Sequence, residues 1–131
     1  MEMKLELVPV PVADVDRAKS FYVDFVGFVA DVDVRPAQGV RVVQLTPPGS
    51  ACSIVLSTGL QHLDTTPGTL RGLHLVVNDI DAARSELVGR GVEVGEVDDS
   101  AGGGVRYAHF ADPDGNTWAL QEMSWRTGPN F

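Results

Sequence analysis

Two stretches of this sequence repeat one short pattern. Residues 12–18 read Val-Ala-Asp-Val-Asp-Arg-Ala, and residues 77–83 read Val-Asn-Asp-Ile-Asp-Ala-Ala. The first aspartates of the two stretches lie 79 − 14 = 65 residues apart, and the apolar residues Leu45 and Phe110 keep the same offset. A constant offset across most of two halves is typical of a duplicated supersecondary unit. The repeat therefore restricts the chain to folds that are built from two similar units.

Each half of the sequence predicts a strand, a helix and three further strands. Asp14 and Asp79 stand where a helix N-cap is expected, and Gly27 and Gly91 stand where a left-handed residue ends a helix. Alternating apolar residues predict the strands, and Pro and Gly mark the loops between them. We expect strands near residues 5–12, 28–34, 40–46 and 52–57 in the first half and near 71–77, 92–97, 105–111 and 116–123 in the second half.

These elements predict an α+β fold in one domain that spans residues 1–131. The first βαβββ module covers about residues 5–57, and the second covers about residues 71–123. Residues 58–70 contain two glycines and a proline and are expected to link the modules, while residues 124–131 form a C-terminal tail. In the first helix, Val15, Ala18, Tyr22 and Phe25 are expected to form one apolar face.

Charge and cysteine content limit the cellular setting and the partners. The formal net charge is −8, which disfavours nucleic acid as a partner, because phosphate binding needs clustered Lys and Arg. A neutral or cationic small molecule suits this charge better. The only cysteine, Cys52, excludes an internal disulfide, so a reducing compartment is expected. With no signal peptide pattern and no apolar membrane span in the sequence, we expect a cytoplasmic protein without a membrane partner.

The strand pattern also sorts side chains onto two faces of the predicted sheet. Trp118 and Leu120 are large and apolar, so they are expected to lie under the helix, and their neighbours then point the other way. The opposite face is expected to carry neutral polar groups between Val, Ala and Gly, a composition that favours a pocket over open solvent. The candidate ligand-binding residues on this face are Gln44, Ser53, His74, Tyr107, His109, Thr117 and Gln121.

Three motifs give the chain a resemblance to a known family. They are residues 12–22 closed by Gly27-Phe28, residues 77–83 followed by residues 90–92, and the turn Asp112-Pro113-Asp114-Gly115-Asn116. Together they resemble the vicinal oxygen chelate superfamily, which includes glyoxalase I, bleomycin resistance proteins, fosfomycin resistance proteins and extradiol dioxygenases. The resemblance covers nearly the whole chain. It implies two βαβββ modules that form a curved mixed sheet, a cup with the helices on its outer face, and it implies a homodimer.

The resemblance also implies positions for a metal, which this sequence does not fill with ligands. Metal-dependent members place ligands on the first and last strands of each module, and these positions fall at Leu7, Ser53, Gly72 and Ala119. None of the four side chains is a carboxylate or an imidazole, which a hard divalent ion needs. We therefore expect no metal at these positions and no other cofactor.

Three functions are compatible with this sequence. The first is a glyoxalase/bleomycin-resistance-like protein that binds a small neutral or cationic organic molecule in the sheet cup, with Tyr107 and Trp125 stacking on it. The second is a lyase, isomerase or dioxygenase of the same superfamily. One version of this enzyme would use a displaced metal held by His74, His109 and Glu122, although Glu122 is expected to face the helix. Another version would use His74 or His109 as a general acid or base without a metal. The third is an accessory subunit with a vestigial cup.

Overall fold

The computed structural model describes the backbone of residues 1–131 and every side chain except that of Asn130. The chain divides into two compact units, one formed by residues 1–70 with 112–116 and the other by residues 71–111 with 117–131. Each unit contains one mixed sheet and one main helix. The predicted α+β fold and its two-unit repeat are thereby confirmed. Within the described residues, no helix combines the length and the apolar character that crossing a membrane requires.

The first unit contains a four-stranded sheet in the order β1-β4-β3-β2. The strand β1 runs parallel to β4, and the other two pairs are antiparallel. The elements of this unit are β1 (Leu7–Pro9), α1 (Val15–Ser20) continued by a π-helical segment (Phe21–Val26), β2 (Val29–Ala37), β3 (Val40–Thr46), β4 (Ser53–Thr58) and a short 3-10 turn (Gln61–Leu63).

The helix of the first unit begins and ends as predicted, but its apolar face differs at one position. The Asp14 side chain accepts a hydrogen bond from the Arg17 backbone N–H at 3.1 Å, and Gly27 ends the helix with φ 98°. Tyr22 is buried as expected, whereas Phe25 is 46% exposed and Phe21 is buried instead. The wider π-helical winding from Phe21 onward shifts the positions that face the sheet, so the prediction for Phe25 was wrong.

The second unit contains a three-stranded sheet in the order β5-β7-β6. The strand β5 runs parallel to β7, and β6 is antiparallel to β7. The elements of this unit are β5 (Leu73–Val76), α2 (Ile80–Gly89), β6 (Val105–Ala111), β7 (Thr117–Met123) and a 3-10 turn (Gly128–Asn130). Asp79 caps α2 by accepting a hydrogen bond from the Ala82 backbone N–H at 3.0 Å.

The strand that the sequence predicts near residues 92–97 does not form, although the structure describes all six of these residues. The guanidinium group of Arg84 donates hydrogen bonds to the carbonyls of Val94 and Gly95, at 3.1 Å and 2.7 Å. These carbonyls are therefore satisfied by a side chain of α2 and do not extend a ladder. The segment keeps one backbone bond to β6, from the Gly95 N–H to the His109 carbonyl.

The core of the second unit lies between α2 and the sheet, where the sequence places it. Trp118, Leu120, Ala108 and Phe110 are all buried, and the rings of Phe110 and Trp118 stack at 6.2 Å. The polar side chains of the candidate site alternate with these residues along β6 and β7, so they point away from the helix.

Candidate functional site

Five of the candidate residues, His74, Tyr107, His109, Thr117 and Gln121, lie on one face of the second sheet. His74 on β5 and His109 on β6 both pair in register with Ala119 on β7, so the two imidazoles flank this small residue. Tyr107 pairs with Gln121 in the neighbouring row. Because side chains two residues apart share a face, these rows carry His74, His109, Tyr107 and Gln121 together.

The ring of Tyr107 lies next to the rings of both histidines on this face, and we call His74, Tyr107 and His109 the ring row. The ring centres of His74 and Tyr107 are 5.8 Å apart with perpendicular planes, and those of Tyr107 and His109 are 6.2 Å apart with planes within 25°. Both imidazoles are exposed, and Tyr107 is half-buried. The ring row therefore offers aromatic faces and edges to a flat partner.

The two polar residues that β7 contributes to this face, Gln121 and Thr117, each take part in a hydrogen bond. The Gln121 side-chain amide donates a long hydrogen bond, 3.4 Å, to the Tyr107 hydroxyl oxygen. The Thr117 hydroxyl oxygen accepts a 2.8 Å bond from the Gly72 backbone N–H, which ties the residue before β5 to the start of β7. Each of these two hydroxyl oxygens thus accepts one hydrogen bond, and within the described residues the hydrogens of the Tyr107 and Thr117 hydroxyls remain available for an acceptor.

A carboxylate lies beside the ring row on the segment that precedes β6. Hydrogen bonds from the Ser100 hydroxyl and from the Ser100 backbone N–H, at 2.8 Å, hold the pKa of the Asp98 carboxyl below its usual range, and the charge of His109 adds to this effect. The Asp98 backbone pairs with Tyr107 in an isolated bridge. Sequence reasoning missed Asp98, because only the pairing of this irregular segment with β6 brings it near His109.

The candidate residues of the first unit are Gln44 and Ser53, and both lie on its sheet. Gln44 is half-buried and pairs with Val55 on β4. Ser53 is 5% exposed, and its hydroxyl oxygen lies 2.6 Å from that of Thr46, which in turn is hydrogen-bonded to the Asp31 carboxylate. Asp31 stands at a register shift of β2, and such a bulge re-aims a side chain in a way that alternation does not predict.

The positions that bear metal ligands in metal-dependent relatives do not fit a metal here. Leu7 pairs in parallel register with Ser53, and Ala119 is buried between the two histidine-bearing strands. Neither Leu nor Ala has a donor atom, and Gly72 offers only its backbone. Across the described side chains, no group of three or more His, Cys, Asp or Glu is placed to hold a metal ion.

The displaced set of His74, His109 and Glu122 is not brought together either. Glu122 lies on the helix side, as the sequence predicts, and accepts a 2.8 Å hydrogen bond from the Ile80 backbone N–H at the start of α2. The Arg106 guanidinium holds its other oxygen at 2.9 Å. Glu122 therefore has a capping role on the face opposite the two imidazoles.

Comparisons with known proteins agree with this architecture. The family model described as Glyoxalase/Bleomycin resistance protein/Dioxygenase superfamily matches residues 4–120. TnmS3, an antibiotic binding protein from Streptomyces sp. CB03234, is 39% identical over 94% of this chain and 98% of its own, with a TM-score of 0.80. A glyoxalase/bleomycin resistance protein from the same strain is 40% identical over 89% of this chain and 98% of its own, with a TM-score of 0.74.

A third solved structure comes from another organism. A member of the same superfamily from Sphaerobacter thermophilus DSM 20745 is 31% identical over 92% of this chain and 98% of its own, with a TM-score of 0.75. Among curated proteins, no sequence matches this chain. The matched model covers most of the chain, and three solved structures exceed 30% identity over nearly its full length. The chain therefore belongs to the Glyoxalase/Bleomycin resistance protein/Dioxygenase superfamily.

Proposed function

We propose that this protein binds a small organic molecule, an antibiotic or a chemically similar natural product, against the face of the β5-β7-β6 sheet that carries the ring row. The observation that carries the proposal is the contact of three rings, His74, Tyr107 and His109, on one partly exposed sheet face. An exposed sheet face that only meets solvent usually carries Lys and Glu instead. Aromatic side chains in this arrangement bind flat ligands by stacking.

Charge and similarity support the same function. The net charge of −8 favours a neutral or cationic ligand over an anionic one. TnmS3, which is 39% identical, is itself an antibiotic binding protein. The residues at the family's metal positions lack the donors that the metal-dependent chemistry needs, so binding by stacking and hydrogen bonds is the function that this site supports best.

The quaternary state and the location belong to the same proposal. Residues 1–131 would fold as one domain in the cytoplasm and associate as a homodimer, as the family resemblance implies. Light scattering after size exclusion then gives twice the 14.0 kDa mass of one chain. Thermal unfolding at several protein concentrations gives a single transition whose midpoint rises with concentration. A monomeric mass would remove the dimer from the proposal without affecting ligand binding by the ring row.

The direct test is a calorimetric titration with aromatic antibiotics. Daunorubicin supplies a flat cationic ligand, and bleomycin supplies a larger cationic glycopeptide. We expect saturable binding of at least one of them, weakened about two- to tenfold in Tyr107→Ala, because stacking on one ring contributes about 0.5–1.5 kcal/mol beyond area burial. Phe25→Ala is the matched control, since it removes another partly exposed ring and should leave affinity unchanged.

Two results would overturn the proposal. One is the absence of saturable binding with every member of the panel, and the other is equal affinity in wild type and Tyr107→Ala. Mass spectrometry of the recovered ligand adds a further readout. A ligand returned unchanged supports binding, whereas a converted ligand would indicate an enzyme that uses His74 or His109 as a general acid or base.

A further inference from the structure

The side chain of His74 is held by the backbone of its own strand. The Nδ1 atom lies 2.6 Å from the carbonyl oxygen of Gly72, two residues earlier. A carbonyl oxygen can only accept a hydrogen bond, so Nδ1 must carry the hydrogen. In the neutral imidazole the other nitrogen, Nε2, then has an unprotonated lone pair. The strand therefore selects one tautomer of His74.

The lone pair of Nε2 is left for a partner outside the described residues. His74 is exposed, and its interactions with the rest of the described chain are the bond to Gly72 and the edge-to-face contact with Tyr107. The bond to Gly72 engages Nδ1, and the contact with Tyr107 involves the ring. An acceptor atom thus lies on the ring row with its orientation already fixed, so little conformational entropy is lost when a ligand meets it.

We propose that His74 is a specificity residue of the ring row, whose Nε2 accepts a hydrogen bond from an O–H or N–H group on an aromatic ligand. This inference rests on the proposed function and narrows it to flat ligands with a hydrogen-bond donor on the ring edge, such as phenols and aromatic amines. The expected preference over a ligand without the donor is about two- to tenfold, the range of a neutral hydrogen bond.

The first test needs no ligand. Long-range ¹H–¹⁵N NMR spectra of the free protein at about pH 8, where an ordinary imidazole is neutral, identify the protonated nitrogen of each histidine. We expect His74 to carry its hydrogen on Nδ1, and a His74→Gln spectrum assigns the signal by its loss. A hydrogen on Nε2 would overturn the inference whatever the protein binds.

The second test compares naphthol with methoxynaphthalene, which differ only by the methyl group that replaces the hydroxyl hydrogen. NMR shift titrations should give tighter binding of naphthol to wild type by about two- to tenfold. His74→Phe keeps a flat ring without the acceptor, so it should bind both fragments equally. His74→Gln, which retains a side-chain acceptor, should restore part of the preference.

The outcomes separate this inference from the function on which it rests. Equal affinity of wild type for the two fragments, or an unchanged naphthol preference in His74→Phe, would overturn the role of His74 while leaving ligand binding intact. If neither fragment shifts the ring-row signals of wild type, the proposed function itself fails. Both results are read in the same titration, and Tyr107→Ala, which should weaken both fragments alike, serves as its reference.

Discussion

The hydroxyl of Tyr22 donates a 2.7 Å hydrogen bond to Oδ2 of Asp112, across 90 residues of sequence, and both side chains are buried. The same carboxylate oxygen accepts a 2.8 Å bond from the Asn116 side chain. The other oxygen accepts the backbone N–H groups of Asp114 and Asn116, at 2.9 Å and 3.0 Å. The turn at residues 112–116 is therefore bonded to the helical segment of the first unit through one fully engaged carboxylate.

Removal of the Tyr22 hydroxyl should destabilise the protein markedly. Tyr22→Phe leaves a buried carboxylate with one donor fewer, and a hydrogen bond to a charged group contributes about 1.5–3 kcal/mol. We expect the free energy of unfolding in urea to fall by that amount. Tyr107→Phe is the control, because the Tyr107 hydroxyl accepts only a 3.4 Å bond. This variant should change the free energy of unfolding by no more than about 0.5 kcal/mol. Equal effects of the two variants would contradict this assignment.

A side chain at Gly68 should be far more damaging than one at Gly102. Both glycines have positive φ, 77° and 72°, so alanine carries a similar backbone strain at each, about 1–2 kcal/mol. A Cβ at Gly68 would lie 1.9 Å from the Asp114 carbonyl oxygen, whereas a Cβ at Gly102 would meet no atom. The difference in unfolding free energy between Gly68→Ala and Gly102→Ala therefore measures the clash alone. We expect Gly68→Ala to lower the unfolding free energy by at least about 2 kcal/mol more than Gly102→Ala does. Similar unfolding midpoints of the two variants in urea would contradict this and would show that the turn at residues 112–116 moves to accommodate the side chain.

Glu122 should matter for stability and not for metal content. Its carboxylate accepts the Ile80 N–H at the start of α2, so Glu122→Ala removes a helix cap and should cost about 1–2 kcal/mol. Glu122→Gln keeps an oxygen that can accept this bond and should lose less. Chemical denaturation gives both values. Wild type and Glu122→Ala, both purified without chelators, should have the same metal content. A metal that is present in wild type and lost in the variant would support the displaced metal site of His74, His109 and Glu122.

Much of the fold is predictable from local sequence because its signals are local. The strands at residues 40–46 and 105–111 form with the predicted bounds, since alternating apolar residues meet clear turn residues at both ends. The two helix caps, Asp14 and Asp79, also form as predicted. The side of β6 and β7 that bears the ring row follows from the same alternation.

The features that sequence reasoning missed depend on distant partners or on altered winding. Residues 92–97 do not pair as a strand, because the guanidinium of Arg84 binds the carbonyls of Val94 and Gly95. The alternation of apolar residues cannot reveal this contact. Asp31 reaches Thr46 only because β2 bulges, and Asp98 lies near His109 only because an irregular segment pairs with β6. The candidate site was therefore predictable as a sheet face, but the carboxylates beside its residues were not.

The ion pairs of Asp33 predict a pH-dependent contribution to stability. Hydrogen bonds from Arg41, at 3.1 Å and 3.0 Å, and from Lys19, at 2.7 Å, hold the pKa of the Asp33 carboxyl well below its usual range. A carboxyl whose pKa is lowered by folding stabilises the protein above its unfolded pKa of about 3.9, and that contribution is lost as the pH falls through the lower folded value. Asp33→Asn should therefore be less stable than wild type at neutral pH.

The difference in unfolding free energy between Asp33→Asn and wild type should stay constant from neutral pH down to about 4. Below that pH it should narrow, because wild type progressively loses the stabilisation that the variant lacks. Thermal unfolding of both proteins across this range measures it. Added salt should shrink the difference at neutral pH, since exposed pairs are screened. Asp64→Asn is the control, because Asp64 is exposed and forms no ion pair with the described residues. A difference that persists unchanged at the lowest pH would mean that Asp33 acts through packing and not through its charge.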